Sequence, residues 1–212
     1  MTDDLTALPQ AVLHAHLDGG LRVATILELA DAHGYRGLPA ADETGLADWF
    51  DQGRSGSLER YLEAFVHTVG VMQTAEAIER VAFEAVEDLA ADGCVYAEIR
   101  FAPSLCTRQG LTLEDVIEAA LNGFRRGEQA TGMVTRYIAD AMRHETDSEK
   151  IAAAAIAFRG QGLVGFDLAG PEAGFPPDDH IVACRMIREA NLGLTLHAGE
   201  ADGVDSIWRA LQ

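Results

Sequence analysis

The chain has 212 residues, 48% of them hydrophobic and 24% charged, and a formal net charge of −18. That size and composition suit one globular unit with a sizeable core. The strongly acidic balance argues against nucleic acid or an anionic membrane surface as a partner and leaves a neutral or weakly basic small molecule open. In chain order, Ala11–Leu17 reads as a strand, and Gly19-Gly20 lets the chain turn after it. Leu21–His33 reads as a helix with Leu21, Ile26, Leu29 and Ala30 on one stripe and Gly34 as its C-cap. Residues 35–57 carry Gly37, Pro39, Gly45, Gly53 and Gly56 and read as an irregular excursion from the core. Ser57 caps a helix over Leu58–Val71, and Thr74 caps another over Ala75–Ala91 that ends before Gly93. In the first of these, Leu58, Tyr61, Leu62, Phe65 and Val69 form an apolar face, read mainly as core, with Phe65 as a candidate lid residue.

Cys94–Ala102 is a second strand stopped by Pro103, and Thr112–Gln129 a helix. Met133–Ala139 is a third strand, Asp147–Arg159 an alanine-rich helix, and Leu163–Leu168 a fourth strand that runs into Ala169-Gly170-Pro171-Glu172. Asp178–Asn191 is a helix, Leu192–Leu196 the fifth strand, and Val204–Leu211 a further helix. Five strand–helix alternations predict a parallel α/β sheet with helices outside it. Residues 1–212 read as a single domain with a helical excursion over 34–92, and strands one and five are expected not to pair.

The start, Met1-Thr-Asp-Asp-Leu, is acidic and does not read as a signal peptide, and the longest apolar run, Ile151–Phe158, is too short to cross a bilayer. Cys94, Cys106 and Cys184 are few, odd in number and widely spaced, which fits reduced thiols in a cytoplasmic protein.

The chemistry concentrates at strand ends. His14 and His16 are two apart, so on a strand both imidazoles face one side, about 7 Å apart along it. Alone, such a pair is a weak signal and reads more readily as two exposed histidines on a strand edge. Downstream, Leu194-Thr-Leu-His-Ala-Gly-Glu200 places His197 at the end of a strand-like run with a carboxylate three residues later. If the first and fifth strand ends meet, three imidazoles converge, and three protein ligands with an open position are the arrangement of a catalytic metal, usually zinc. Glu200 beside them could carry a proton between water and a substrate nitrogen; as a bland alternative it is a carboxylate favoured by a helix N-terminus.

His14-Ala-His16-Leu17-Asp18-Gly19, Ser55-Gly56-Ser57-Leu58-Glu59-Arg60-Tyr61-Leu62, Tyr96-Ala97-Glu98-Ile99-Arg100-Phe101-Ala102-Pro103, Phe166-Asp167-Leu168-Ala169-Gly170 and His197-Ala198-Gly199-Glu200, in this order, resemble the bacterial members of the adenosine deaminase family. The resemblance implies a TIM (β/α)8 barrel, of which this chain holds about the first five βα units, and one Zn2+ ion. It implies His14, His16 and His197 as metal ligands and Glu200 as the group that protonates purine N1. Gly170 then offers its backbone amide to purine N3, and Asp18 meets the sugar 5′-hydroxyl, beside His16. The implied reaction is hydrolytic deamination of adenosine and 2′-deoxyadenosine to inosine and ammonia in purine salvage. The family's later Gly-His-Gly-like turn and Asp-Asp pair are not in this sequence, so the chain reads as a fragment, expected to be inactive by itself while its parent is active. The oligomeric state is left open. Alternatives are a deaminase of adenine, which Asp18 with Arg22 nearby disfavours, or of another adenine-containing compound such as a modified nucleoside, and a non-catalytic remnant.

Overall fold

A computed structural model describes residues 8–51 and 56–212. Met1–Ala7 lie outside the described residues, as do Gly53 of the excursion and Ser55 of the motif at 55–62. Five strands, β1 (Gln10–His16), β2 (Cys94–Phe101), β3 (Val134–Met142), β4 (Leu163–Ala169) and β5 (Gly193–Leu194), form one parallel sheet in sequence order. The connections carry α1 (Val23–His33), α2 (Glu43–Phe50), α3 (Leu58–Glu63), α4 (Phe65–Val71), α5 (Ala75–Ala91), α6 (Leu113–Thr131), α7 (Ser148–Ala157) and α8 (Ile181–Glu189), with α9 (Gly203–Ala210) after β5. As expected, β1 and β5 are the two edges and do not pair.

The caps behave as the sequence indicates. Gly34 takes a left-handed φ of 68° and its N–H bonds back to Ala30 and Asp31. Thr74 Oγ1 accepts from Ala77 N, and Thr112 with Asp115 forms a reciprocal capping box on α6. Four expectations need correction. The excursion contains a regular helix, α2, which Asp42 caps by accepting from Gly45 N. The helix expected over 58–71 is two helices, because around Ala64 the chain closes with tighter bonds, Ala64 N to Tyr61 O and His67 N to Ala64 O. β3 runs on to Met142, since Asp140, Ala141 and Met142 continue to pair with Asp167, Leu168 and Ala169. β5 is only two residues long, although Thr195 N still donates to Phe166 O and His197 N to Leu168 O, so the chain follows β4 beyond the regular strand.

One apolar core joins the sheet to its helices and to the excursion: Leu46, Val71 and Met72 pack in the same cluster as Ile99, Phe101, Tyr137 and Phe166. On α6, Gly123 and Gly127 face α5 with no room for a side chain; a Cβ on Gly123 would sit 2.3 Å from Glu79 O, and one on Gly127 2.5 Å from Val86 Cβ. Glycine at both positions lets the two helices approach at backbone contact.

A flat five-stranded sheet would hold its edges about 19 Å apart, four spacings of about 4.8 Å. Yet His14 Nε2 on β1 lies 2.9 Å from His197 Nε2 just past β5. Side chains from opposite edges meet this closely only if the sheet is strongly curled, as a barrel arc is.

Candidate active site

His14, His16 and His197 bring three ring nitrogens together. The Nε2···Nε2 distances are 3.0 Å (14–16), 2.9 Å (14–197) and 3.1 Å (16–197). The register of β1 on β2 slips by one residue between Val12 and Ala15, which face Ala97 and Ile99. This irregularity frees the Leu13 carbonyl, which instead accepts from the Arg100 guanidinium at 2.8 Å.

The donor set is suited to a cation. A neutral imidazole Nε2 carries either a proton or a lone pair. Three of them around a triangle cannot alternate, so at least one close pair sets lone pair against lone pair or N–H against N–H. A cation facing three lone pairs, with the protons on Nδ1, removes the conflict. The Nδ1 side of His197 agrees with this, lying 3.0 Å from Asp167 Oδ2, whereas His16 Nδ1, 4.0 Å from Asp18 Oδ1 and Asp140 Oδ2, is beyond hydrogen-bond reach of either. Burial, then the nearby His197, His14 and Arg100, pulls His16 down to about 4; burial, then Arg100 and His197, lowers His14 as well. Both rings therefore keep free lone pairs at neutral pH. Among the described residues these three form the group able to hold a metal ion.

Behind the histidines lies a buried charge pair that the sequence reading did not single out. Asp167 on β4 accepts from the Arg100 guanidinium through Oδ2 and from His197 N through Oδ1 at 3.1 Å. Arg100 and Asp167 are 3% and 0% exposed. Burial alone would raise Asp167, but the His197 ring and Arg100 hold it below the usual carboxylate range. A carboxylate behind a metal-ligating imidazole fixes the ring's tautomer and angle. The available signal was a charged residue set inside each of two apolar strands, Ile99-Arg100-Phe101 and Phe166-Asp167-Leu168.

All six expected site residues line one cavity of about 570 Å³: His14, His16, Asp18, Gly170, His197 and Glu200. Asp18 is buried, its Oδ1 has no hydrogen-bond partner, and burial raises its carboxyl to about 7 against a smaller opposing effect of its own backbone amide. Gly170 sits at φ +92°, and a Cβ there would come within 2.8 Å of Met142 Cε. Glu200 is solvent-exposed at the cavity rim. Tyr61, Leu62 and Phe65 from α3 and α4 add an apolar wall, with the Phe65 ring 6.3 Å from that of His16. Asp140, His144 and Arg108, which the sequence reading passed over, also face the cavity.

The adenosine deaminase family model matches residues 9–212. The chain belongs to the adenosine deaminase family. It is 55% identical over 213 residues to an adenosine deaminase of Mycobacteroides abscessus, covering 98% of this chain and 59% of that relative. The chain thus spans about three-fifths of the length of the curated relatives it matches. Among solved structures, an adenine deaminase from Arthrobacter aurescens matches with a TM-score of 0.86 at 28% identity, covering 97% of this chain and 62% of the other. An amidohydrolase from Burkholderia ambifaria, solved with bound Zn, matches with a TM-score of 0.82 at 26% identity over 92% of this chain and 53% of the other. The five-stranded parallel sheet is therefore the arrangement found in the deaminases of this family. No helix among the described residues is long and apolar enough to cross a membrane.

Proposed function

We propose that the protein to which this chain belongs deaminates adenosine, and 2′-deoxyadenosine, to the inosine nucleoside and ammonia, with water adding at C6 and the exocyclic amine leaving. The carrying observation is the trio of ring nitrogens, 2.9–3.1 Å apart, lining a cavity that also presents Glu200. His14, His16 and His197 hold one zinc ion, which when bound supplies Lewis acidity and a water ionisable near neutral pH. Glu200 delivers a proton to purine N1, which draws electrons from C6 and opens it to attack. Gly170, without a side chain, lets the ring approach its backbone amide at N3. The apolar wall of Tyr61, Leu62 and Phe65 covers the purine and sheds water from it.

Asp18 selects among adenine compounds. Its buried, unpartnered oxygen seeks a hydroxyl donor, as a sugar 5′-OH provides, and its carboxyl repels a phosphate at the same place. This favours a nucleoside over free adenine or a nucleotide. The 212 residues act as one domain, in purine salvage, in a reducing cytoplasm where Cys94, Cys106 and Cys184 stay as thiols.

The chain spans 59% of the curated relative, and we place full turnover in a protein of that greater length. The chain alone should bind one Zn2+ per molecule, lost on His14→Ala, and turn over adenosine near background. The chain joined to the unmatched part of the Mycobacteroides abscessus relative should convert adenosine to inosine, followed by ultraviolet absorbance, and Glu200→Gln should abolish this. Absence of zinc at the histidines would overturn the reading; rapid turnover by the chain alone would overturn the placement.

A further inference from the structure

Glu172 follows the strand end Ala169-Gly170-Pro171, is 4% exposed, and plays no part in the chemistry described above. Its carboxylate is wholly spent on one turn. Oε1 accepts from Gly199 N at 2.6 Å and from the Ser206 hydroxyl, while Oε2 accepts from Ala201 N at 2.5 Å and Asp202 N at 3.0 Å. Four donors saturate a carboxylate's lone pairs, and two of them, Gly199 and Ala201, flank Glu200 on either side. Asp202, the N-cap of α9, makes no side-chain cap bond; Glu172 instead ties the start of α9 from another loop, through the Asp202 N–H and the Ser206 hydroxyl. A second tie comes from Arg143, just past β3 and 2% exposed, whose guanidinium donates to His197 O and, at 3.2 Å, to Phe175 O. Arg143's own carbonyl meets the buried His180 Nε2 at 3.0 Å, and His180 Nδ1 meets Ser148 Oγ at 2.9 Å.

A buried carboxylate that serves only to hold backbone amides is costly unless their placement matters. Glu200 is exposed and no hydrogen bond among the described residues fixes its side chain, so its place at the cavity depends on the backbone that carries it. We propose that Glu172 is the positioning residue that fixes Glu200 over the metal centre, with Arg143 steadying the preceding His197. This rests on the proposed role of Glu200. Glu172→Gln keeps the size but removes the charge and turns one acceptor oxygen into an N–H donor; even with that donor turned to the Ser206 hydroxyl, which can accept, the Gly199 N–H faces a donor and the other two amides keep only a neutral acceptor.

Two measurements test this on the 212-residue chain. First, amide hydrogen exchange of residues 198–203: Glu172→Gln should speed it at least tenfold while the β2–β4 peptides stay unchanged. This arm needs no metal, so it stands even if the metal reading fails. Second, the Co2+-loaded chain is titrated by its visible absorption against pH. Glu200→Gln should move the midpoint by about one unit, a tenfold change in the equilibrium. Glu172→Gln should move it in the same direction, and the double variant should move it no further than Glu200→Gln alone. A residue that merely stabilises the fold would leave the midpoint in place. Unchanged exchange at 198–203, an unmoved midpoint, or shifts that add in the double variant would overturn the proposal. Should Glu172→Gln fold poorly, Ser206→Ala, which removes one of the four donors, should give a smaller change in both measurements, and no change in either would equally overturn it.

Discussion

Replacing Asp167 by Asn removes the one charge that balances Arg100. Arg100 is 3% exposed, its Nε has no partner, and its remaining bond is to the Leu13 carbonyl. Breaking a buried ion pair while one charge stays inside costs about 3–5 kcal/mol. Set against a typical domain stability of about 5–15 kcal/mol, that is a large fraction. With a urea slope of about 2–3 kcal/mol per molar, the unfolding midpoint of Asp167→Asn should fall by about 1–2.5 M. The same change strips the carboxylate from behind His197, so zinc affinity should fall about 10–100-fold. Urea melts and competitive zinc titration with a chromogenic chelator read the two effects. A paired replacement, Arg100→Met with Asp167→Leu, should recover most of the stability, because no charge is left buried, while zinc affinity stays low. If Asp167→Asn melts within about 0.3 M of the parent, the pair is not the buried, desolvated link that the distances indicate.

Gly170→Ala, forced to φ +92° and against Met142, should cost about 1–2 kcal/mol in urea melts. Glu172 is held at about 2, against 4.5 for an ordinary glutamate, because the Ser206 hydroxyl and three backbone amides outweigh the opposing effect of burial. A carboxyl depressed in the fold stabilises it above the unfolded pKa and loses that contribution as pH falls. The stability gap between the parent and Glu172→Gln should therefore be full above pH 4.5 and close toward pH 2; a gap that stays constant with pH would count against the clasp. Val204, Ile207, Trp208 and Leu211 form an exposed apolar stripe on and just past α9, with Trp208 65% and Leu211 75% exposed. The chain should accordingly self-associate in sedimentation runs at micromolar concentration, and Trp208→Glu with Leu211→Glu should return it to a monomer.

The alternation of elements was legible because it rests on local chemistry. Thr74, Thr112 and Gly34 mark helix ends through bonds made within four residues, and the strands β2 to β4 are apolar runs between turn residues. What escaped is tertiary in origin. Gly45 and the surrounding Gly and Pro residues argue against a helix at 43–50, yet Leu46, fully buried in the core, holds it there. β5 is regular for only two residues, and beyond Leu194 the chain keeps to β4 through single bonds, Thr195 N to Phe166 O and His197 N to Leu168 O, as it enters the cavity.

At the site the divide is sharper. Histidines are rare enough, and zinc particular enough in its ligands, that His14, His16 and His197 announced themselves once the ends of the first and fifth strands were supposed to meet. Their spacing gave the face, and only the curl of the sheet gave the contact. Arg100 and Asp167 sit two strand spacings apart in a flat sheet and 67 positions apart in sequence; neither implies the other until the sheet bends. Glu172 is more deeply hidden, because its partners are three backbone amides and a hydroxyl, groups that nearly every residue or turn could supply. A sequence names the atoms that do chemistry more readily than those that hold them in place. Buried charges with no chemical task of their own are thus the residues to seek when such a site is read from structure.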